Sequence, residues 1–384
     1  MPQFKRYFPS AVFPALSIPE RMRCVTSYTG KNVCIAMIDS GFVPHPDLTQ
    51  PTNRIVTYYD AVHDVETPLP QEEPKFYSWH GTMTACTAAG NGFLSGGAYT
   101  SLAPDAKIVL IRTMHDRGNI PTATIAKALE WLIENHEKYS VNVVNISVYA
   151  DEYDLTVEHP VTALVEKLVN CGVVVVAASG NDPSKPLYPP APAPSAITVG
   201  GLNDKNKLNI EEFDLYPTSH GRTIDGMVKP EVIAPAIWLP APILHGTVVY
   251  DEASTLCALD AMSNEVLVKV LPLMITHTKL PLDLIKSNDV EHIRGQISAR
   301  LRAEKIISSH YKHVDGTSFA APIVCSVIAQ MIEANRTLKP KEIKEILVES
   351  AQVLANVPRE PQGYGVIQAK EAISQAEDLF QYCE

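Results

Sequence analysis

The first half of the chain alternates short apolar runs with amphipathic segments. The amphipathic segments Thr122 to Tyr139 and Val161 to Asn170 carry apolar residues at helical spacing. The apolar runs lack polar alternation, which is typical of strands buried on both faces of a parallel sheet; they are Val33 to Ile38, Lys107 to Ile111, Val141 to Val148, Val173 to Ala178 and Ala196 to Val199. This order predicts a three-layer α/β/α sandwich with a mostly parallel central sheet.

The alternation stops in the region from about Trp238 to His310. Two stretches within it, Glu265 to Ile275 and Val290 to Ile307, have helical spacing. We therefore predict a largely helical subdomain inserted into the α/β domain at about residues 238–309.

The remaining chain completes the predicted organisation. Two further helices are expected at Ser318 to Ala334 and Pro340 to Ala351. Residues 1–27 are predicted to be an N-terminal extension, and residues 28–384 a single domain that the insertion interrupts. Prolines break up the apolar stretch near the N-terminus, so we expect no secretory signal there.

Four polar residues stand where predicted elements begin or end. Asp39 ends the first apolar run and Asn181 follows the fourth, while His80 and Ser318 precede small-residue segments expected to start helices. Functional groups of open α/β sheets gather at the carboxyl ends of strands. A hydroxyl nucleophile, an imidazole base, an orienting carboxylate and an amide donor are the parts that acyl transfer requires.

The segments around these residues resemble the subtilase family of subtilisin-like serine peptidases, whose triad runs Asp, His, Ser along the chain. The resemblance covers roughly residues 28–236 and 310–384. Its segments are IAMIDSG (35–41), HGTMTA (80–85), AASGN (177–181), GTSFAAP (316–322), YTGKNV (28–33), HPDL (45–48), LAPDAKI (102–108), SAITVGG (195–201), VKPEVIAP (228–235) and GYGVIQA (363–369).

The resemblance implies a serine endopeptidase that works through an acyl-enzyme. Ser318 would be the nucleophile, His80 the general base and acid, and Asp39 the residue that orients His80. Asn181 and the Ser318 backbone N–H would form the oxyanion hole. No cofactor or metal would be required for catalysis.

The resemblance also implies where an extended peptide substrate lies, as an added strand beside the site. The residues that it places against the substrate are Ser147, Val148, Tyr149, Ser179 and Gly180. Tyr149 stands where the family usually has glycine, so its side chain is expected to narrow or redirect the pocket.

Other departures from the family pattern leave alternatives open. Cys86 replaces a usual glycine and is interpreted as a small buried residue, or else as a thiol close to the site. The insertion at 238–309 is either a decorated surface loop or a lid or docking module that restricts access and could contact a partner. The proline-containing tail from Phe8 to Glu20 is either an inhibitory strand across the cleft or a packed or disordered extension.

Asp47 lies in the segment HPDL, where relatives often use this aspartate to bind structural calcium. Calcium needs several further oxygen ligands, and the nearby sequence does not clearly provide them. We therefore interpret Asp47 as a structural cap or ion pair, with a calcium site as the alternative.

Composition narrows the partners and the compartment. The net charge of −11 argues against nucleic acid, and no uninterrupted apolar run predicts a membrane span. Seven cysteines, an odd number without a C-x-x-C pair, favour a reducing compartment such as the cytoplasm. The expected partner is a peptide or protein substrate.

Two alternative functions use the same residues. A catalytically silent subtilase-like module would bind peptides without cleaving them, and an acyltransferase or ligase would pass the acyl group to an acceptor other than water. A zinc metallopeptidase is disfavoured, because no H-E-x-x-H motif is present.

Overall fold

The computed structural model describes residues 15–24, 26–287 and 289–381. The strands in this part of the chain are β1 (Cys34–Asp39), β2 (Ile55–Asp60), β3 (Val65–Thr67), β4 (Lys107–Arg112), β5 (Val143–Ile146), β6 (Val174–Ala178), β7 (Ile197–Asn203), β8 (Asp214–Leu215), β9 (Gly221–Arg222), β10 (Val228–Lys229), β11 (Val232–Pro235), β12 (Leu239–Pro242) and β13 (Tyr311–Val314). The α-helices are α1 (Ile18–Arg21), α2 (Pro46–Thr49), α3 (Ser78–Ala89), α4 (Thr122–Tyr139), α5 (Pro160–Asn170), α6 (Val248–Asp260), α7 (Asn264–Met274), α8 (Val290–Ala303), α9 (Thr317–Ala334), α10 (Pro340–Glu349), α11 (Arg359–Gln362) and α12 (Ala369–Gln381).

The central sheet has the strand order β11-β7-β6-β5-β1-β4-β2-β3, with β8 added beside β7. Its strands run parallel except for β3 and β8, which pair antiparallel with their neighbours. The strand that carries Asp39, β1, lies inside the sheet between β5 and β4. Its carboxyl end therefore opens at the centre of one sheet edge, where active sites of such sheets form.

Both faces of the sheet are covered by helices. Ile35 and Met37 of β1 pack with α3, α9, α10 and α12, whereas Ala36 and Ile38 pack with α4 and α5. Successive side chains of a strand point to opposite faces, so this continuous apolar strand serves two cores at once. The predicted three-layer α/β/α sandwich is confirmed.

Helix α9 runs through the larger of the two cores. It is long and apolar enough to cross a membrane, but 83% of it is buried within the protein. That burial is typical of the core helix of a folded domain.

The predicted insertion lies between the antiparallel strands β12 and β13, and α6, α7 and α8 fold within it. These helices enclose a core of their own, which includes Leu256, Leu267 and Ile297. The two strands were not predicted, because Pro240 and Pro242 cannot donate ladder hydrogen bonds and so resemble a loop.

The described start of the chain is fixed to the body. Arg21 forms a buried ion pair with Asp204 and also donates to the carbonyl of Trp238 at 2.9 Å. Of the tail predicted at Phe8 to Glu20, residues 8–14 lie outside the described residues. None of residues 15–24 lines a cavity that contains Ser318, so this part of the tail does not cross the cleft.

Candidate active site

Asp39 is fully buried at the carboxyl end of β1. Three donors surround its carboxylate: Nδ1 of His80 at 2.6 Å, the backbone N–H of Ser40 at 2.6 Å and the hydroxyl of Thr84 at 2.9 Å. A buried carboxylate with this many donors has its hydrogen-bonding capacity satisfied and is held in one orientation.

His80 lies in the first turn of α3, and Gly81 allows that helix to approach the strand end. A Cβ at position 81 would lie 2.4 Å from the carbonyl oxygen of Gly41 and 3.1 Å from Cβ of Asp39. Backbone contact therefore sets the separation between the imidazole and the carboxylate. Because the carboxylate only accepts, the His80 proton sits on Nδ1 and Nε2 is left as an acceptor.

The electrostatics of His80 combine two opposing effects. Burial lowers the pKa of its imidazolium, but the charge of Asp39 and the hydrogen bond to it outweigh burial, so the pKa lies above its ordinary value. The protonated form is therefore stabilised, which suits the general base that the sequence predicts at this position.

Ser318 is the second residue of α9. Gly316 precedes the helix with a φ of 133°, a conformation that side chains rarely adopt, and it turns the chain sharply into the helix. The backbone N–H of Ser318 belongs to the first turn, whose N–H groups have no partner within the helix and are positioned to bind negative charge.

Asn181 is oriented by the turn that precedes Ser318. Its Oδ1 accepts from the backbone N–H of Thr317 at 2.8 Å and from the Thr317 hydroxyl at 3.0 Å. An N–H can donate only to the oxygen of an amide, which fixes the orientation of the Asn181 side chain. Its NH₂ group is therefore the end left to donate within the two cavities that Asn181 and Ser318 share.

Three cavities meet at Ser318. We name them the insertion-side cavity (about 640 Å³), the Met114-side cavity (about 610 Å³) and the Tyr188-side cavity (about 410 Å³). His80 lines the first and second, and Asn181 lines the first and third. Among the described residues, no hydrogen bond joins the Ser318 hydroxyl to His80; such bonds are often long before substrate binds.

The predicted substrate residues divide into two groups. Val148 and Tyr149 line both the Met114-side and the Tyr188-side cavities, and Tyr149 is 61% exposed with its ring 5.7 Å from that of Tyr188. Gly180 lines the Tyr188-side cavity. The Ser179 hydroxyl instead bonds Thr218 at 2.7 Å, its backbone N–H donates to the carbonyl of Val199 at 3.0 Å, and Ser179 lines none of the three cavities.

Ser147 has a second position in the network. It lines the same two cavities as Tyr149, and its hydroxyl donates to the carbonyl of Ser318 at 3.0 Å. The side chain of Asn145 in turn donates to Ser147 at 2.9 Å. Ser147 therefore links the end of β5 to the start of α9.

Asp47 does not have the surroundings of a calcium ligand. Its carboxylate accepts from the Tyr311 hydroxyl at 2.6 Å and from the Leu94 N–H at 3.1 Å. Its other close potential ligands are the imidazole of His45 and the thiol of Cys86, whereas calcium prefers oxygen ligands. These residues do not fit calcium, and the structural interpretation of Asp47 agrees with its contacts.

Cys86 is buried, as one of the two interpretations of its sequence position held. Burial raises the pKa of its thiol well above the ordinary value. A protonated buried thiol is a poor nucleophile, so Cys86 acts as a packing residue in α3.

Several residues of the site were not predicted. Thr84 donates to Asp39, and helical spacing could have identified it, because residues four apart share one face of a helix and His80 precedes it by four. Thr317 orients Asn181.

The sequence also did not predict several residues of the cavity walls. Phe76 and Trp79, both exposed, line two of the cavities. No local pattern pointed to the contribution of Ile243, Leu244 and other insertion residues.

The fold and this arrangement define the class of an α/β serine peptidase with an Asp-His pair beside a helix-borne serine. The sequence model of the subtilase family (peptidase S8) matches residues 30–365. The chain therefore belongs to the subtilase family, and the prediction of a subtilisin-like serine peptidase is confirmed.

The relatives by sequence are bacterial serine proteases. The chain is 26% identical over 362 residues to serine protease AprX of Bacillus subtilis, covering 92% of this chain and 69% of AprX. It is 31% identical over 187 residues to subtilisin E of Bacillus subtilis, covering 47% of this chain and 43% of that protein. The chain thus spans less than half of subtilisin E in that alignment.

Solved structures show the same fold. Fervidolysin from Fervidobacterium pennivorans, a keratinolytic enzyme related to subtilisin, aligns with a TM-score of 0.63 at 21% identity, over 93% of this chain and 45% of that chain. A protease from Pseudoalteromonas arctica aligns with a TM-score of 0.61 at 18% identity, over 96% of both chains.

Proposed function

We propose that this protein is a serine endopeptidase that hydrolyses peptide bonds through an acyl-enzyme. Ser318 attacks the scissile carbonyl while His80 takes the hydroxyl proton at Nε2 and then returns it to the leaving amine. Water, activated by His80, releases the acyl group. Asp39 holds the His80 tautomer, and the Asn181 NH₂ and the Ser318 N–H bind the oxyanion.

The bond between His80 and Asp39 carries this proposal. A fully buried carboxylate 2.6 Å from Nδ1 leaves Nε2 as the free basic nitrogen of a histidine that lines two cavities with Ser318. A peptide-binding module would have no need for a carboxylate buried behind an imidazole.

A fluorophosphonate probe tests the assignment. We expect covalent labelling at Ser318 and complete loss of labelling in Ser318→Ala, with hydrolysis reduced on the order of a millionfold. The matched control is Ser326→Ala, which removes a hydroxyl from the same helix outside the three cavities. A wild-type protein that binds peptides without labelling would be the silent module, and transfer of the acyl group to an added amine in preference to water would indicate a ligase.

We also propose that the insertion restricts which substrates reach the site. Ile243, Leu244, Thr247 and Val249 line the insertion-side cavity together with His80 and Phe319. This shared lining supports restricted peptide processing, because a substrate in this cavity must fit against both the insertion and the body. The six described cysteines are all free, which supports the proposal of a reducing, cytoplasmic location.

A further inference from the structure

The insertion-side cavity has an unusual charge for this protein. Three lysines line it, Lys75, Lys305 and Lys312, against one carboxylate, Asp315. The chain as a whole carries a net charge of −11. A cavity of sign opposite to the rest of the molecule concentrates ligands of the complementary charge.

Two of these lysines already have partners. Lys305 forms an ion pair with Asp315 and lies over the ring of Trp238 at 5.0 Å. Lys75 pairs with Glu73 at 2.8 Å. Their charges are therefore largely compensated within the protein.

Lys312 differs from both. Among the described residues it has no ion pair and no side-chain hydrogen bond, although it is half-buried in β13. Burial lowers the pKa of its ammonium; the carboxylates of Glu304 and Glu252 oppose that effect, whereas Lys305 and Lys279 add to it. A partly desolvated ammonium without an anionic contact is stabilised by an incoming carboxylate.

The position of this cavity identifies the part of the substrate that it receives. Ser147, Val148 and Tyr149 line the other two cavities and not this one. The leaving amine departs on the side of the histidine that protonates it. His80 borders the insertion-side and the Met114-side cavities, and of these two the insertion-side cavity is the one that the three substrate residues do not line. The peptide beyond the scissile bond therefore lies against the insertion.

We propose that Lys312 forms a subsite on the leaving side that binds a carboxylate of the substrate. The inference rests on the proposed peptidase function and names the substrate class that the site prefers. The carboxylate belongs either to an aspartate or glutamate side chain or to the C-terminus of a short substrate. The apolar lining near Ser318, which includes Phe319 and Ile243, accommodates the residues between the scissile bond and this carboxylate.

Paired quenched peptides test the subsite. Each pair carries Glu or Gln at one of the first four positions after the bond that mass spectrometry identifies as cleaved, with the C-terminus amidated. A second set keeps Gln and compares a free with an amidated C-terminus. We expect a preference of about tenfold in kcat/KM for one carboxylate, equivalent to about 1.4 kcal/mol.

Three variants locate the effect. In Lys312→Met the ratio of Glu to Gln cleavage should fall to about one, and Lys312→Arg should restore it. Lys279→Met is the matched control, because it removes the same charge from the insertion at a residue that does not line the cavity; its ratio should stay near that of the wild type.

The outcomes separate this inference from the function on which it rests. Equal cleavage of every pair by a wild type that labels with fluorophosphonate would overturn the subsite and leave the peptidase intact. A ratio of Glu to Gln cleavage that falls equally in Lys312→Met and Lys279→Met would also overturn the subsite. That result would mean that the preference depends on the overall positive charge of this region and not on contact with Lys312. Failure to label or to cleave any peptide would overturn the peptidase itself.

Discussion

The body of the sandwich and the inserted subdomain contribute to the same cleft in different ways. In the body, short hydrogen bonds and backbone contact hold Asp39, His80 and Asn181. These contacts restrict the orientation of the three side chains. The insertion has its own core and forms one wall of the insertion-side cavity, next to Lys312 of β13, which has no ion pair among the described residues. From this comparison we propose that the body determines the chemistry and that the insertion determines which peptides undergo it.

The largest expected effect tests the body. Asp39→Asn should lower kcat about 10⁴-fold at neutral pH for every substrate, because an amide cannot enforce the His80 tautomer. Asp60→Asn is the matched control, since Asp60 is a buried strand-end carboxylate that lines none of the three cavities. A fall in kcat that differs widely from one substrate to another would contradict the proposal that the body determines the chemistry and the insertion the substrate preference.

The pH dependence of the same variant gives a second measurement. In the wild type the pKa of His80 is raised, so kcat/KM should fall as the pH drops through a value above that of an ordinary histidine. Without the Asp39 charge, burial alone remains and lowers that pKa. The acid limb of the pH–rate profile should therefore move to lower pH in Asp39→Asn; an unmoved limb would mean that another group controls it.

The next effect concerns the oxyanion. Asn181→Leu should lower kcat by about 10²- to 10³-fold with little change in KM, because the donor acts on charge that develops only in the transition state. Asn181→Asp keeps an oxygen for the Thr317 N–H but removes the NH₂ donor. Full activity of Asn181→Asp in steady-state assays would rule out the donor role.

A smaller effect is expected from removal of the insertion that lines the insertion-side cavity. The register of β12 and β13 pairs Pro242 with Tyr311, so an Asn-Gly turn in place of residues 243–310 can close the hairpin. We expect kcat/KM for unfolded proteins to rise about tenfold, roughly 1.4 kcal/mol, and the cleavage profile to broaden. Fluorophosphonate labelling of the variant checks that it is folded, and an unchanged profile in a labelled variant would exclude a lid.

The smallest effect is expected at Tyr149, which lines the Met114-side and Tyr188-side cavities. Tyr149→Gly should change the preference for the residue before the scissile bond by about threefold, or roughly 0.7 kcal/mol, since the exposed ring covers only part of the pocket. Tyr153→Gly is the control, because the ring of Tyr153 also contacts that of Tyr188, edge-on at 5.8 Å, but Tyr153 lines none of the three cavities. Peptide-library profiling that shows equal changes in both variants would assign the effect to loop stability.

Local pattern was sufficient for most of the sheet and for the helices that cover it. The span Thr122 to Tyr139 matches α4, because its apolar stripe faces one core. Strand β2 was missed, since Tyr58 and Thr57 interrupt its apolar run, and α6 was missed because its apolar residues are irregularly spaced.

The site was predictable only where a local signal existed. Asp39 and Ser318 stand at element boundaries that the sequence marks. The inward rotation of the Ser179 hydroxyl towards Thr218 depends on a residue 39 positions away, and the approach of Lys312 to the cleft depends on how the insertion folds back. Such long-range packing leaves no periodic trace in the chain.

The backbone approach at Gly81 has a consequence for how this protein can change. The helix that carries His80 contacts the turn after Asp39 directly, so the spacing between His80 and Asp39 depends on the absence of a side chain at position 81. The three atoms nearest to that position belong to Asp39, Gly41 and Phe42, so substitutions in the inserted segment leave this contact in place. We therefore expect substrate preference to change through the insertion while the spacing between Asp39 and His80 stays constant. The added methyl group of Gly81→Ala should disturb that spacing directly.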